Sequence, residues 1–110
     1  MNSLKREELE PLRKILKELS DFIRSSYLGE TPYFFRFIEN MHNNLEICIL
    51  IQYEEWERLE SLLIRDWCAA NQTLVGISDF EIRQDDPEIK EVLVCRFLEL
   101  VSGVENYLKR

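Results

Sequence analysis

Glu39 and His42 are the residues best suited to metal chemistry, because the Glu-x-x-His spacing places a carboxylate and an imidazole on one helix face. Di-iron helical bundles need two such pairs, and this chain has a single histidine. A di-iron site within one chain is therefore excluded. A metal-dependent enzyme built across subunits stays as one alternative, and we favour a polar helix edge for these two residues.

Clusters of carboxylates are the second candidate for chemistry, because paired acids can transfer protons or bind hard cations. Four acids crowd one short stretch: Glu54, Glu55, Glu57 and Glu60. On a helix they point in different directions, which predicts a solvated face. With one histidine and three isolated glycines, neither a nucleophile–base arrangement nor a phosphate-binding loop can be assembled. We therefore expect no catalytic residue, no cofactor and no metal.

The composition predicts a few long helices in one domain covering residues 1–110. Apolar residues make up 45% and charged residues 32% of the chain, as in ordinary globular proteins. A chain of 110 residues has the usual size of one domain. With 3 Gly and 3 Pro, the chain has little of the turn-forming material that many short strands would need.

The net charge of −7 bears on the partners, because the acidic excess lies between residue 26 and the end of the chain. Nucleic acids and anionic membranes are bound through Lys and Arg, so neither is an expected partner. A basic protein suits the charge better. The alternative is that the charge only keeps the protein dissolved.

The cysteines and the N-terminal residues predict a soluble cytoplasmic protein. Cys48, Cys68 and Cys95 are odd in number, lack C-x-x-C spacing and sit in apolar runs, so we expect them to be reduced and buried. Residues 1–8 lack the apolar core of a secretory signal, and the run 47–51 is far too short to span a membrane.

Apolar periodicity predicts the first two helices. The first has one narrow buried stripe, and either Pro11 lies in its first turn or Ser3 caps an earlier start. The second is predicted to begin at Thr31 and Pro32 and to be interrupted at Asn43 and Asn44. The stripe of the first helix is Leu9, Leu12, Leu16, Leu19 and Ile23. The face of the second is Phe34, Phe37, Ile38, Met41 and Leu45, with Tyr33 and Phe35 at its edges.

The apolar arc of the second helix spans roughly 200°, about twice what a surface helix needs. Part of the arc must be covered from a second side, either by the rest of the fold or by another chain. Tyr33 and Phe35 are therefore candidate partner contacts, and a homodimer is one way to cover them.

Residues 45–53 are ambiguous, since apolar positions alternate there as in a strand but also continue a helical pattern that runs to about Asn71. We favour the helix, and hence an all-α antiparallel bundle of about four helices. The alternative is an α+β fold with a short strand at 45–53. The helical face is Ile49, Tyr53, Trp56, Leu59, Leu63, Trp67 and Ala70; its two tryptophans are expected in the core, with a partner-binding ridge as the alternative.

The last helix is predicted to begin at Pro87 with Asp85 or Asp86 as its cap. Its expected buried stripe is Ile89, Leu93, Phe97, Leu100, Val104 and Tyr107 or Leu108. Before it, residues 72–86 lack helical periodicity, and connections of this length are often functional. Four acids in that loop give the predicted partner site, which Tyr33 and Phe35 extend: Asp79, Glu81, Asp85 and Asp86.

The stretch Val75-Gly76-Ile77-Ser78-Asp79-Phe80-Glu81-Ile82, after a Trp-bearing helix, resembles a turn in small acidic helical bacterial proteins of unknown function. Some of these proteins resemble toxin immunity proteins. The resemblance implies a protein that blocks another protein without catalysis of its own. Together with the charge, it predicts a non-catalytic protein-binding module, such as an immunity or inhibitor-type partner of a basic bacterial protein. The alternative is a homodimeric structural or regulatory protein.

Overall fold

The computed structural model describes residues 4–26, 32–53, 56–71, 76, 82 and 85–108. These residues form an all-α bundle of four α-helices and contain no strand. The predicted fold class is therefore confirmed, and residues 45–50 are helical. The helices are α1 (Leu9–Ser26), α2 (Phe35–Leu50), α3 (Trp56–Ala70) and α4 (Pro87–Leu108), with a 3-10 turn over Arg6–Glu8 ahead of α1.

The start of α1 is stabilised by a local exchange of hydrogen bonds. The amide of Lys5 donates to Glu8 Oε1 at 2.8 Å, and the amide of Glu8 donates to the carbonyl oxygen of Lys5 at 2.9 Å. Pro11 lies in the first turn of α1, where its missing N–H leaves no helical hydrogen bond unmade. The predicted stripe is confirmed, because all five of its apolar side chains are fully buried.

Two predictions for α2 are wrong. The helix begins at Phe35, after a turn in which the Phe35 amide donates to the carbonyl oxygen of Pro32 at 3.0 Å. It also continues through Asn43 and Asn44, since Leu45 and Cys48 extend the buried stripe beyond them. The poor helix propensity of Asn costs less than about 0.7 kcal/mol per residue, whereas burying one large apolar side chain contributes roughly 1.5–3 kcal/mol.

The break between α2 and α3 lies at Gln52 and Tyr53, so the predicted uninterrupted helix to Asn71 is also wrong. Both residues have left-handed backbone conformations, with φ of 59° and 67°. The Tyr53 amide donates to the carbonyl oxygen of Cys48 at 2.8 Å, as at helix C-termini that end in a left-handed residue. The Arg6 guanidinium lies 4.5 Å from the centre of the Tyr53 ring and helps to fix the turn.

Gln52→Gly is expected to raise the free energy of unfolding by about 1 kcal/mol, because a left-handed conformation is costly for any residue that has a Cβ. Gln52 is exposed, so its side chain contributes little packing. Urea denaturation measures the change, with Gln52→Ala as the matched control that gains nothing. A Gly variant no more stable than the Ala variant would show that the turn is not strained at this residue.

The start of α4 confirms the predicted cap and identifies it as Asp86. Its Oδ1 accepts hydrogen bonds from the amides of Glu88 at 2.9 Å and Ile89 at 3.4 Å. The buried residues of the helix are Phe97, Leu100, Val104 and Leu108. Leu93 and Tyr107 are half-buried and Ile89 is exposed, so the predicted stripe is wrong at its first position.

Helix α4 lies at one side of the bundle, because it packs mainly against α1. Helix α1 packs against both α2 and α4, α2 also packs against α3, and α3 has few contacts with α4. Helices α1 and α4 lie close together at Gly103, where a Cβ would come within 3.2 Å of Ile15 Cδ1. Further along, the rings of Phe22 and Phe97 stack with centroids 5.8 Å apart. The outer face of α4 therefore has no helix packed on it within the described chain.

Candidate docking surface

Four of the six sequence-predicted site residues lie in the described part of the chain: Tyr33, Phe35, Asp85 and Asp86. Asp79 and Glu81 lie outside the described residues, so the predicted acidic loop stays a prediction. Asp85 is exposed, and Asp86 is exposed while capping α4. Phe35 is 4% exposed, with the Arg24 guanidinium 5.3 Å from its ring centre, so it does not share a surface with Tyr33.

Tyr33 is 46% exposed and its ring is held by its neighbours. The Phe37 ring meets it edge-on at 5.7 Å, and the Arg36 guanidinium stacks at 4.3 Å from its centre. Most of the remaining arc is buried by the chain itself, namely Phe34, Phe35, Ile38, Met41 and Leu45. The part of the arc that a second chain could cover is therefore reduced to the neighbourhood of Tyr33.

The cysteines differ in burial. Cys48 is in the core, and desolvation by burial raises the pKa of its thiol. Cys68 and Cys95 are exposed, so the prediction that all three are buried is wrong. An apolar run on a helix turns through all faces, so part of each run reaches the surface.

An open groove of about 800 Å³ runs along α4 beside Phe22 of α1. We call it the α4 groove; its lining residues are Phe22, Glu88, Glu91, Val92, Leu93, Cys95, Arg96 and Glu99. Val92 is 67% exposed there, and Leu98, a little further along the outer side of the helix, is 56% exposed. Large apolar side chains with this exposure, next to an open groove, make this face of α4 a candidate docking surface.

The rim of the α4 groove is acidic. Glu88, Glu91 and Glu99 contribute three carboxylates. The lining cation, Arg96, donates to Glu18 Oε2 at 2.6 Å and lies 3.7 Å from Glu99 Oε1, so its charge is offset within the chain. The groove thus combines an apolar floor with a net negative edge.

The sequence contained the signal for this surface. Val92, Cys95 and Leu98 are spaced by three residues and lie opposite the buried stripe of α4. A helix that is apolar on both faces has more apolar surface than one neighbouring layer can cover. The wider apolar arc of the second helix is the stronger signal in the sequence, and it points to Tyr33 and Phe35.

Glu39 and His42 lie in a polar cleft of about 190 Å³ between α1 and α2. Glu39 accepts a hydrogen bond from Arg24 at 2.8 Å, and His42 Nδ1 is 3.6 Å from Glu46 Oε1. A salt bridge of 3.1 Å between Lys17 and Asp21 borders the same cleft. The described part of the chain contains no group of three or more His, Cys, Asp or Glu side chains that could hold a metal ion.

Helix α3 buries two acidic side chains of the described chain. Glu60 is buried and accepts a hydrogen bond from the Leu4 amide at 3.0 Å, so the predicted solvated face is wrong at this residue. Asp66 is buried too, and its Oδ2 has no hydrogen-bond partner. Trp67 is fully buried, which confirms the core interpretation for this tryptophan.

Asp66→Asn is expected to raise the free energy of unfolding more at pH 7 than at pH 3. Burial raises the pKa of the Asp66 carboxyl, and nearby Arg65 lowers it in part. Below the unfolded pKa of about 3.9 both states are protonated and no penalty exists. As the pH rises through the higher folded pKa, the buried charge destabilises the fold, and the loss persists at neutral pH.

Urea denaturation of the Asp66→Asn variant and the unchanged chain at the two pH values tests this expectation. Asp85→Asn, at an exposed position, is the matched control. An equal difference at pH 3 and pH 7 would contradict a destabilising charge at Asp66.

A comparison of the chain with protein-family models, with curated proteins and with solved structures found no match. None of the described helices is both long enough and apolar enough to cross a bilayer.

Proposed function

We propose that this protein is a non-catalytic protein-binding module and that the α4 groove is its docking surface. The observation that carries the proposal is the α4 groove itself, where Val92 is 67% exposed and where Glu88, Glu91 and Glu99 contribute carboxylates to the lining. Exposed apolar surface with a polar rim is typical of sites that bind other proteins. The buried side chains of α4 are on the opposite face of the helix, namely Phe97, Leu100, Val104 and Leu108.

The charge of the rim favours a basic partner. Three glutamates around an apolar floor, in a chain of net charge −7, attract a positively charged surface and repel phosphate groups. We therefore propose an inhibitor or immunity-type role toward a basic bacterial protein, and no role in binding nucleic acid or membranes. The odd number of cysteines leads us to propose the cytoplasm as the location.

Site-directed cross-linking tests the proposal. A photoreactive maleimide is attached to Cys95 in a Cys68→Ser variant, and to Cys68 in a Cys95→Ser variant as the matched control. Both thiols are exposed, but Cys95 alone lines the groove. In cells that make the protein, we expect a basic protein to be captured from Cys95, and the capture to disappear with Val92→Glu. Identical products from both sites, or none from Cys95, would contradict the proposal.

A homodimer is the second candidate, favoured by a different patch at the end of α2. Ile47, Leu50 and Ile51 have the i, i+3, i+4 spacing of one helix face, and Leu50 is 80% exposed. If this patch joins two copies, light scattering should report a dimer that Leu50→Glu dissociates. A monomer at high concentration would contradict this candidate and leave the α4 groove untouched.

A further inference from the structure

We propose that the occupant of the α4 groove is a basic amphipathic α-helix of about three turns, an inference that rests on the proposed function. The groove follows α4 from Glu88 to Glu99, alongside Phe22 of the neighbouring helix. At 1.5 Å per residue this distance is about 16 Å, which is the length of about eleven helical residues. Grooves of this kind, with an apolar floor, accept the apolar face of a helix.

The positions of the acids along α4 define the pattern of the occupant. Glu88, Val92, Cys95 and Glu99 follow one another at helical spacing along the outer side of the helix. Val92 and Cys95 therefore lie between two end carboxylates. Glu91 and Arg96 line the two sides of this row, and Arg96 is 3.7 Å from Glu99 Oε1. A complementary helix has apolar residues at its centre and Lys or Arg about eleven positions apart, one near each end.

An extended peptide fits the groove less well than a helix does. The described chain has no strand, so it offers no sheet edge to pair the backbone N–H and C=O groups of an extended occupant. A helix satisfies those groups internally and presents only its side chains. The bundle therefore favours an occupant with its own backbone hydrogen bonds.

A second copy of this chain is disfavoured as the occupant. If two α4 helices paired in opposite directions about a two-fold axis, Glu88 of one copy would face Glu99 of the other. Pairing in the same direction would also bring like charges together at both ends. Such contacts repel, and each chain has a net charge of −7.

Protection of Cys95 from alkylation by synthetic peptides tests the inference. The probe is a peptide of about 14 residues, long enough to form a helix, with central Leu at i, i+3, i+4 and i+7 and Lys at both ends. One control peptide has Glu in place of Lys, and another has a central Pro that breaks the helix. Each peptide is added to the Cys68→Ser chain, and alkylation of Cys68 in the Cys95→Ser chain is the matched control.

The basic helical peptide is expected to slow alkylation of Cys95 about tenfold at about ten times its Kd, and to leave Cys68 unaffected. Equal protection by the Pro peptide would overturn the helical occupant and keep the docking surface. Equal protection by the Glu peptide would overturn the inference that the occupant is basic. If no peptide protects Cys95 although cross-linking captures a protein there, this inference fails and the proposed function stands; failure of both experiments removes both.

Discussion

Phe35→Ala is expected to lower the free energy of unfolding by about 3–5 kcal/mol, the usual cost of truncating a buried aromatic side chain. Phe35 is 4% exposed and packs in the core, with Arg24 stacked over its ring. Domains of this kind are stable by roughly 5–15 kcal/mol, so the variant should be partly unfolded near its working temperature. Thermal and urea denaturation followed by circular dichroism measure the loss.

Tyr33→Ala is the matched control, because Tyr33 is two residues away and about half exposed. Its expected cost is about 1 kcal/mol or less, from the lost contacts with Arg36 and Phe37. If Phe35→Ala were instead as stable as the unchanged chain and dissociated a dimer, Phe35 would be an interface residue, as its position on the apolar arc predicts.

Val92→Glu is expected to weaken binding of the captured partner by about 30-fold or more, which corresponds to about 2 kcal/mol at a central contact. The change places an unpaired charge in the apolar floor beside the carboxylates already on the rim. Calorimetric titration measures the affinity. The melting temperature should stay nearly constant, since Val92 is 67% exposed and contributes little to the core.

Ile47→Glu provides the control for Val92→Glu, because it puts the same charge at an exposed aliphatic residue on α2. It should leave the affinity unchanged. If Ile47→Glu weakened the affinity for the partner and Val92→Glu did not, the docking surface would lie at the end of α2 and not at the α4 groove.

The helices that could be predicted are those whose signal is local. The stripe from Leu9 to Ile23 and the cap at Asp86 depend on spacing and on side chains next to the helix start, and both are confirmed. The break at Gln52 and Tyr53 could not be predicted from the neighbouring residues. Neither residue is a Gly, and the turn is stabilised by Arg6, which is distant in sequence.

The candidate site was harder to predict than the fold, because exposure depends on which helices pack against each other. Val92 and Ile89 are both exposed apolar residues of α4. The sequence alone does not show that α3 has few contacts with α4, so it does not show which apolar residues of α4 stay exposed. Phe35 is predicted from the sequence to contact a partner, but the fold of its own chain buries it. The acids at Asp79 and Glu81 lie outside the described residues and stay a prediction.

The docking surface is tested most directly by mapping the captured partner onto the chain with backbone amide NMR shifts. On addition of the partner, we expect the largest shift changes at residues 88–99 and at Phe22, which line the α4 groove. Amides at residues 47–51 and at Tyr33 should change little. Changes centred on residues 47–51 or on Tyr33, with residues 88–99 unaffected, would contradict the α4 groove as the binding site.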